Sequence, residues 1–356
     1  MADLSRFLVD PDMSIRAVMV GMGNSNGISL VVNEQRRLIS TITDGDIRRA
    51  ILAGTDLEQP ISTLLDKVKL PKYSQPITAP VNTPTSHLIQ VMTENQVRHI
   101  PLTNAFGEVV EVATLSELVR DYELPMTAVV MAGGYGTRLR PLTNDLPKPM
   151  LPLGDRPLLE HIVDQLKTAG IRKLNITTHY KAHIIEEHFK DGREFGVDIN
   201  YVDEGEPLGT AGALSLLEDS NDPLLVINGD IVTKVDLRAM LDFHKEHDAE
   251  MTVAVRQHET HVPYGVVELD GVDITGIAEK PVYRFLVNAG IYLLNPQACR
   301  RVPFGQRYDM PELISEIRAS GMRVIGFPIQ EYWIDVGQLD DYTRAQADVL
   351  EGELQR

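Results

Sequence analysis

Three glycines in a span of four residues, Gly133, Gly134 and Gly136, follow an apolar run from Thr127 to Met131 and precede Arg138 and Arg140. Glycines let a chain turn tightly and approach a ligand closely, and successive N–H groups in such a turn form a concave anion site. Arg138, and Lys148 within Pro147-Lys148-Pro149-Met150, add the fixed positive charge that polyphosphate needs. The residue types point to nucleotide phosphates held on a loop, with a plain tight turn as the other reading. The loop is not a P-loop, because G-x-x-x-x-G-K-[ST] is absent. Gly134-Tyr135-Gly136 continues as Thr137-Arg138-Leu139, which breaks G-x-G-x-x-G and argues against an NAD-type oxidoreductase.

Other residues could do chemistry further on. Asp230 ends Asn228-Gly229-Asp230 after the apolar run Pro223 to Asn228, and Asp335 stands in Trp333-Ile334-Asp335-Val336-Gly337. A carboxylate after a buried strand suits Mg²⁺, which takes one or two carboxylates plus substrate phosphates, but it equally suits a turn or a cap. Glu204 opens a segment in which Gly209 and Gly212 flank Thr210, either a ligand loop or a close-packed helix entry. Tyr264-Gly265, Glu279-Lys280 and Asn288 offer an ammonium for phosphate and acceptors for hydroxyls, with a surface Lys–Glu pair as the alternative for residues 279 and 280.

The string from Ala132 to Met150, with Thr137-Arg138-Leu139 and Pro147-Lys148-Pro149 at this spacing, closely resembles the signature of sugar-1-phosphate nucleotidyltransferases. The resemblance runs from Thr127 to about Tyr342. It implies nucleotide binding by Ala132, Gly133, Gly134, Gly136, Thr137, Glu204, Gly209 and Thr210. It places Tyr264, Gly265, Glu279, Lys280 and Asn288 against the sugar phosphate, Asp230 and Asp335 on Mg²⁺, and Arg138 and Lys148 on the triphosphate as catalytic residues. Glu204 occupies a position where thymidylyl and uridylyl relatives commonly carry Gln. A carboxylate only accepts, which matches the N1–H and amine edge of guanine and favours GTP. The implied reaction is in-line attack by a sugar 1-phosphate on the α-phosphorus of GTP, with pyrophosphate leaving. Glucosamine 1-phosphate or a related hexose or hexosamine phosphate is the expected acceptor; mannose or glucose 1-phosphate with another NTP is the alternative. A catalytically inactive, nucleotide-sensing subunit is the rival from another class. The expected chain carries no hexapeptide-repeat domain and hence no acetyltransferase activity of that kind.

The elements that must position these residues alternate. Thr127 to Met131, Lys173 to Thr178, Val197 to Val202, Pro223 to Asn228 and Met251 to Val255 read as strands. Leu158, Ile162, Leu166 and Ala169 form a helical stripe stopped by Gly170, with Asp155 as the expected cap and Pro157 in the first turn; Lys181 to Phe189 reads as a second helix. Such alternation implies an α/β domain, Rossmann-like, over residues 127–350. Its sheet is mixed and mostly parallel with helices on both faces, and ligands sit at the carboxyl ends of the strands.

Residues 1–122 read as a duplicated α+β module. Ile28 to Val32, then Leu38 to Ala50, a strand running into a helix, match Val97 to Leu102, then Val109 to Ala113 and Thr114 to Leu118. Helices at Ser14 to Val20 and Thr85 to Met92 precede them, and acidic Asp44 and Asp46 suit the start of a helix. The repeat aligns Thr43 with Thr114 and Asp46 with Glu117. It resembles a pair of CBS modules, which implies an adenine nucleotide on Thr43, Asp46, Thr114 and Glu117, or else dimerisation alone, giving a homo-oligomer. Glu117 departs from the family's usual Asp. Glu123 to Met126, with Pro125, reads as the connection between the two domains. A CBS pair followed by a nucleotidyltransferase resembles bacterial enzymes of the legionaminic acid pathway that form a GDP-amino sugar.

Of the 356 residues 24% are charged and 43% hydrophobic, as in ordinary soluble proteins. The formal net charge of −17 argues against nucleic acid or an anionic membrane as partner. A single cysteine, Cys299, excludes an intramolecular disulfide and fits a small buried residue. With no signal-peptide core and no apolar run of membrane-spanning length, a cytoplasmic location is expected. His179 and His183, and His244 and His247, have helical spacing without a third ligand and read as surface or hydrogen-bonding residues rather than zinc ligands.

Overall fold

The computed structural model describes residues 4–23, 25, 27–65, 76–95, 97–118 and 123–352. The chain forms two compact units, Met1–Glu123 and Leu124–Arg356. The expected module end at residue 122 lies outside the described residues. The expected connection is not a free linker along its length. Leu124 and Met126 are buried in the core of the second unit, and the Leu124 N–H donates to the Gly170 carbonyl at 2.9 Å.

In the first unit the duplication is visible in the pairing. Leu8–Val9 lies parallel to Ile28–Val32, which pairs antiparallel with Leu38–Thr43. Ala79–Pro80, His99–Thr103 and Val109–Thr114 repeat that pattern, and both hairpins carry a register shift toward the turn. Ile28 stands opposite Thr43 as His99 stands opposite Thr114, so the two threonines are structural equivalents. Helix Ile15–Met22 starts from Ser14, whose side chain accepts from the Ala17 N–H. The repeats share an apolar cluster in which Ile28 and Leu30 of one meet Val109 and Val112 of the other.

The second unit is built on a seven-stranded sheet. Its labelled elements are β1 (Thr127–Met131), α1 (Leu158–Ala169), β2 (Lys173–Thr178), α2 (Ala182–Phe189), β3 (Asp198–Asp203), β4 (Leu224–Asn228), β5 (Ile231–Thr233), α3 (Leu237–Glu246), β6 (Met251–His261), β7 (Gly265–Asp270), β8 (Asp273–Glu279), β9 (Val282–Leu294), α4 (Met310–Ala319), β10 (Val324–Ile329), β11 (Trp333–Asp335) and α5 (Leu339–Leu350). The strand order is β3-β2-β1-β4-β9-β6-β10. β3, β2, β1 and β4 are parallel; β9 is antiparallel to both of its neighbours, and β10 runs parallel to β6. Side chains alternate across the sheet, as strand geometry requires. Ala128 and Val130 face one core with α1 and α3, while Val129 faces the other with α4. Helices on both faces explain why the central strands are apolar on both sides.

Two local expectations differ from the structure. Asp155 does not cap α1: it lies in a tight turn with Gly154 between the short paired strands Pro152–Leu153 and Arg156–Pro157, and α1 starts directly after Pro157 with no side-chain cap. Proline at the cap position presents no N–H that would need a partner. The helix entry expected at Gly209 and Gly212 opens no long helix: a single turn, Gly209–Gly212, is followed by a 3-10 turn, Ala213–Leu216.

Candidate functional site: the carboxyl ends of the central strands

The glycine loop leaves β1 between β2 and β4. The Ala132 N–H donates to the Thr177 carbonyl of β2 at 3.1 Å, which fixes the loop's first residue. Gly133 is buried against Glu204: a Cβ there would stand 2.5 Å from Glu204 Oε1. Gly136 has φ of 61°, and its carbonyl accepts from the Thr143 hydroxyl at 2.8 Å. Leu139, fully buried, anchors the 3-10 turn Thr137–Leu139 and leaves Thr137 and Arg138 exposed. Among the described residues no backbone carbonyl takes the N–H groups of Gly133 to Gly136. These donors are available to an anion. The Tyr135 hydroxyl lies 3.0 Å from His179 Nε2, with the two rings edge to face.

Lys148 opens a 3-10 turn between two prolines, and Pro149 and Met150 are buried beneath it. Its Nζ bonds Asp230 Oδ2. Asp230 lies in the turn between β4 and β5. β5 pairs antiparallel with β11, placing Ile231 opposite Asp335, and the Val336 N–H donates to the Asp230 carbonyl at 3.0 Å. This short ladder brings Asp230 and Asp335 side by side. β11 is held in turn by Trp333, whose indole N–H donates to the Ala289 carbonyl at 2.9 Å. Asp335 keeps one face open to solvent, yet burial among its neighbours, and then the facing Asp230 carboxylate, raise its pKa above the ordinary value; Lys148 and Arg138 pull it back. Arg138 also lines an open cleft of about 420 Å³ with Gln338, Leu339 and Asp340.

These residues fit a hard divalent cation. Asp230 Oδ1 is buried with no hydrogen-bond partner, and two carboxylates facing each other are relieved by positive charge. Among the described residues no group of three His, Cys, Asp or Glu side chains forms a metal cage. Two carboxylates, with substrate phosphates and water completing the shell, is the Mg²⁺ pattern.

On the side of Glu204, its Oε2 accepts from the Leu208 N–H at 3.0 Å while Oε1 stays against Gly133. Thr210 is engaged elsewhere: its N–H and hydroxyl both reach Asp309 Oδ1, at 2.9 and 3.2 Å. Of the expected sugar-phosphate residues, Tyr264, Gly265, Glu279 and Lys280 come together at the root of a β7–β8 ribbon. Gly265 pairs with Glu279, and the Lys280 N–H donates to the Tyr264 carbonyl at 3.2 Å. Asn288 on β9 donates to the Tyr292 hydroxyl at 2.8 Å and accepts from the Gly290 N–H at 3.0 Å, so its amide is already partnered at both ends.

In the CBS-like unit, Thr43 and Asp46 meet at the strand-to-helix turn. The Thr43 N–H and hydroxyl both donate to Asp46 Oδ2 at 2.7 Å, and Arg49 donates to Oδ1 at 2.6 Å. Thr114 is buried at the equivalent strand end and Glu117 is exposed. Of the four histidines at helical spacing, His183 is exposed and His247 Nδ1 lies 2.8 Å from the Phe243 carbonyl. His179 meets Tyr135, and buried His244 bridges the Thr252 hydroxyl and Asn295 Oδ1. Burial pushes the largely buried Cys299 thiol up to about 12, which leaves it protonated and unreactive at neutral pH.

Sequence reasoning missed Thr143, Thr177 and Asp309, which hold the loops. Only the position of Thr177 near the end of a strand pointed to the site.

The nucleotidyl transferase family model matches residues 127–352, and the CBS domain model matches residues 5–53 and 73–123. The chain is 36% identical over 234 residues to a mannose-1-phosphate guanylyltransferase of Mycobacterium tuberculosis, covering 63% of this chain and 65% of that protein. It is 34% identical over 232 residues to the mannose-1-phosphate guanyltransferase of Saccharomyces cerevisiae, covering 61% and 63%. The match thus spans just under two thirds of these relatives' length. Among solved structures, a putative glucose-1-phosphate thymidylyltransferase from Bacillus anthracis aligns with a TM-score of 0.50 and 26% identity, covering 62% of this chain and 94% of that one. The chain belongs to the nucleotidyl transferase family, with a CBS-domain pair fused ahead of the transferase domain.

Proposed function

We propose that the protein transfers GMP from GTP to a hexose 1-phosphate, releasing pyrophosphate, with mannose 1-phosphate as the first acceptor to test. The observation that carries the reading is the cluster of Lys148, Asp230, Asp335 and Arg138 beside a glycine loop with free N–H groups. A phosphate oxygen of the sugar phosphate attacks the α-phosphorus, the bond from that phosphorus to the bridging oxygen breaks, and the electron pair leaves with pyrophosphate. The nucleophile is already anionic, so no side chain need remove a proton. Catalysis then rests on alignment and charge stabilisation. Arg138, Lys148 and the loop amides hold the triphosphate, and Lys280 meets the sugar phosphate. Asp230 and Asp335 would hold Mg²⁺, which screens phosphate charge when bound.

The relatives act on mannose 1-phosphate, which supports the alternative sugar over the hexosamine expected from the domain order; their guanylyl specificity agrees with Glu204. We infer an adenine nucleotide at the CBS pair, where it would exchange with Arg49 for Asp46, and association through that unit. Pyrophosphate release with Mg²⁺, five NTPs and a panel of hexose and hexosamine 1-phosphates tests the reading. Selective turnover of GTP with mannose 1-phosphate supports it. Turnover with glucosamine 1-phosphate alone restores the hexosamine, and turnover with dTTP or UTP alone overturns the base assignment.

A further inference from the structure

The loop that presents Glu204 is not held by its own secondary structure. Between β3 and the turn Gly209–Gly212 the chain is irregular: the Glu204 N–H donates to the Thr178 carbonyl of β2 at 3.0 Å, and the far end of the loop bonds to a segment about a hundred residues later. The Tyr308 N–H donates to the Leu208 carbonyl at 2.8 Å, and the Tyr308 carbonyl accepts from the N–H groups of both Ala211 and Gly212 at 2.9 Å. Asp309 Oδ1 accepts from the Thr210 N–H and hydroxyl, and the Thr210 oxygen accepts from the Met310 N–H at 2.9 Å. The approach is close enough to need glycine: a Cβ at Gly209 would stand 2.6 Å from Asp309 Oδ1, and one at Gly212 would stand 2.5 Å from the Gln306 carbonyl.

The later segment is itself anchored. The Asp309 N–H donates to Glu312 Oε2 at 2.8 Å, closing a capping box at the start of α4. The Tyr308 hydroxyl donates to Glu316 Oε2 at 2.7 Å. Met310, Leu313 and Ile317 bury α4 against the sheet. A continuous chain of contacts therefore leads from α4 through Asp309 and Thr210 to Leu208. The Leu208 N–H holds Glu204 Oε2, and Glu204 Oε1 lies on Gly133 of the phosphate loop.

We propose that Asp309 is a positioning residue for nucleotide recognition: it latches the Glu204–Thr210 loop to α4 and so fixes the Glu204 carboxylate that faces the base. Asp309 touches neither substrate nor metal in this account. The inference rests on the reading of residues 204 to 210 as the base side of a nucleotide site. Loss of the latch releases Thr210 and loosens the loop, while the Tyr308 bonds and the bond from the Glu204 N–H to the Thr178 carbonyl stay, so it weakens nucleotide binding without abolishing it and leaves the sugar phosphate and the transfer step largely alone.

The test uses the full chain and three variants: Asp309→Ala, Asp309→Asn, which keeps the Oδ1 acceptor, and Thr210→Val, which removes the hydroxyl. Steady-state KM for GTP and for the sugar phosphate, kcat, thermal midpoint, and equilibrium binding of GTP without sugar phosphate are measured for each. The expected result is a GTP KM and Kd raised about tenfold in Asp309→Ala. Thr210→Val gives a smaller rise, Asp309→Asn restores near-wild-type values, and sugar-phosphate KM and kcat change less than about threefold. Unchanged GTP binding in Asp309→Ala, or equal rises in both KM values tracking a lower thermal midpoint, overturns the latch. If wild type binds another NTP in preference to GTP, the guanine reading fails separately, and the same comparison made with that NTP still decides the latch.

Discussion

Lys148 and Asp230 neutralise each other, and Asp335 stands beside them with an unfavourable carboxylate neighbour. The repulsion between the two carboxylates is one that a bound divalent cation would relieve. Lys148→Ala should lower kcat by on the order of 10²–10³ with the fold intact, as expected for loss of a group aimed at developing charge. Near-wild-type turnover by a folded variant would remove Lys148 from the mechanism. Asp335 makes a prediction of opposite sign for stability. Its folded pKa lies above the unfolded value of 3.8, so the native state binds more protons between the two, and stability falls as pH rises through that window. Asp335→Asn should therefore raise the thermal midpoint at pH 7 in chelator while abolishing turnover, with the gain shrinking as pH falls toward 3.8. A lower midpoint at pH 7 would contradict this electrostatic picture.

At the scale of elements, the site exists because β1, β2 and β4 end together and two loops meet there. Gly133→Ala places a methyl where Glu204 Oε1 now lies and should raise the GTP KM more than the sugar-phosphate KM, as steady-state kinetics would show; no change in either would mean that Glu204 moves freely. A second polar tie, His244, connects α3 to β6 and to Asn295. The Asn295 amide donates to the Ala249 carbonyl, which turns its oxygen toward His244 Nε2 and leaves Nδ1 to accept from Thr252. Burial lowers the His244 pKa below 6.5, partly offset by the Asn295 bond. The unfolded chain thus binds the extra proton first, and stability falls as pH drops below 6.5 and is flat above it. His244→Ala leaves buried groups unpaired and should cost about 1–3 kcal/mol in denaturant unfolding at pH 7.5.

Much of this was legible in the chain. The glycine loop, the neighbouring Asp230 and Asp335 and the strand–helix alternation are local patterns, and the repeat in the first unit survives as equivalent positions of Thr43 and Thr114. What was not legible depends on distant partners. Thr210 looks like a ligand residue between two glycines, but its polar groups are claimed by Asp309, about a hundred residues away. Asp155 precedes α1 as a cap would, yet a two-strand turn takes it instead. Asn288 carries a sugar-binding pattern, while Tyr292 and Gly290 occupy its amide. Periodicity and motif spacing do not encode such pairings.

At the scale of the molecule, the chain forms two compact units with separate cores, and the proposed ligands fall on different units. Calorimetry of the full chain should resolve two transitions, with GTP and Mg²⁺ raising only the one belonging to the transferase unit. A single transition, shifted as a whole, would show that the units unfold as one.

The most direct measurement of the central claim identifies the products formed from GTP, mannose 1-phosphate and Mg²⁺. Attack at the α-phosphorus predicts a GDP-sugar and pyrophosphate in equal amounts, and neither product with Asp335→Asn. Formation of GDP and inorganic phosphate instead, or intact GTP with every sugar phosphate, would contradict it.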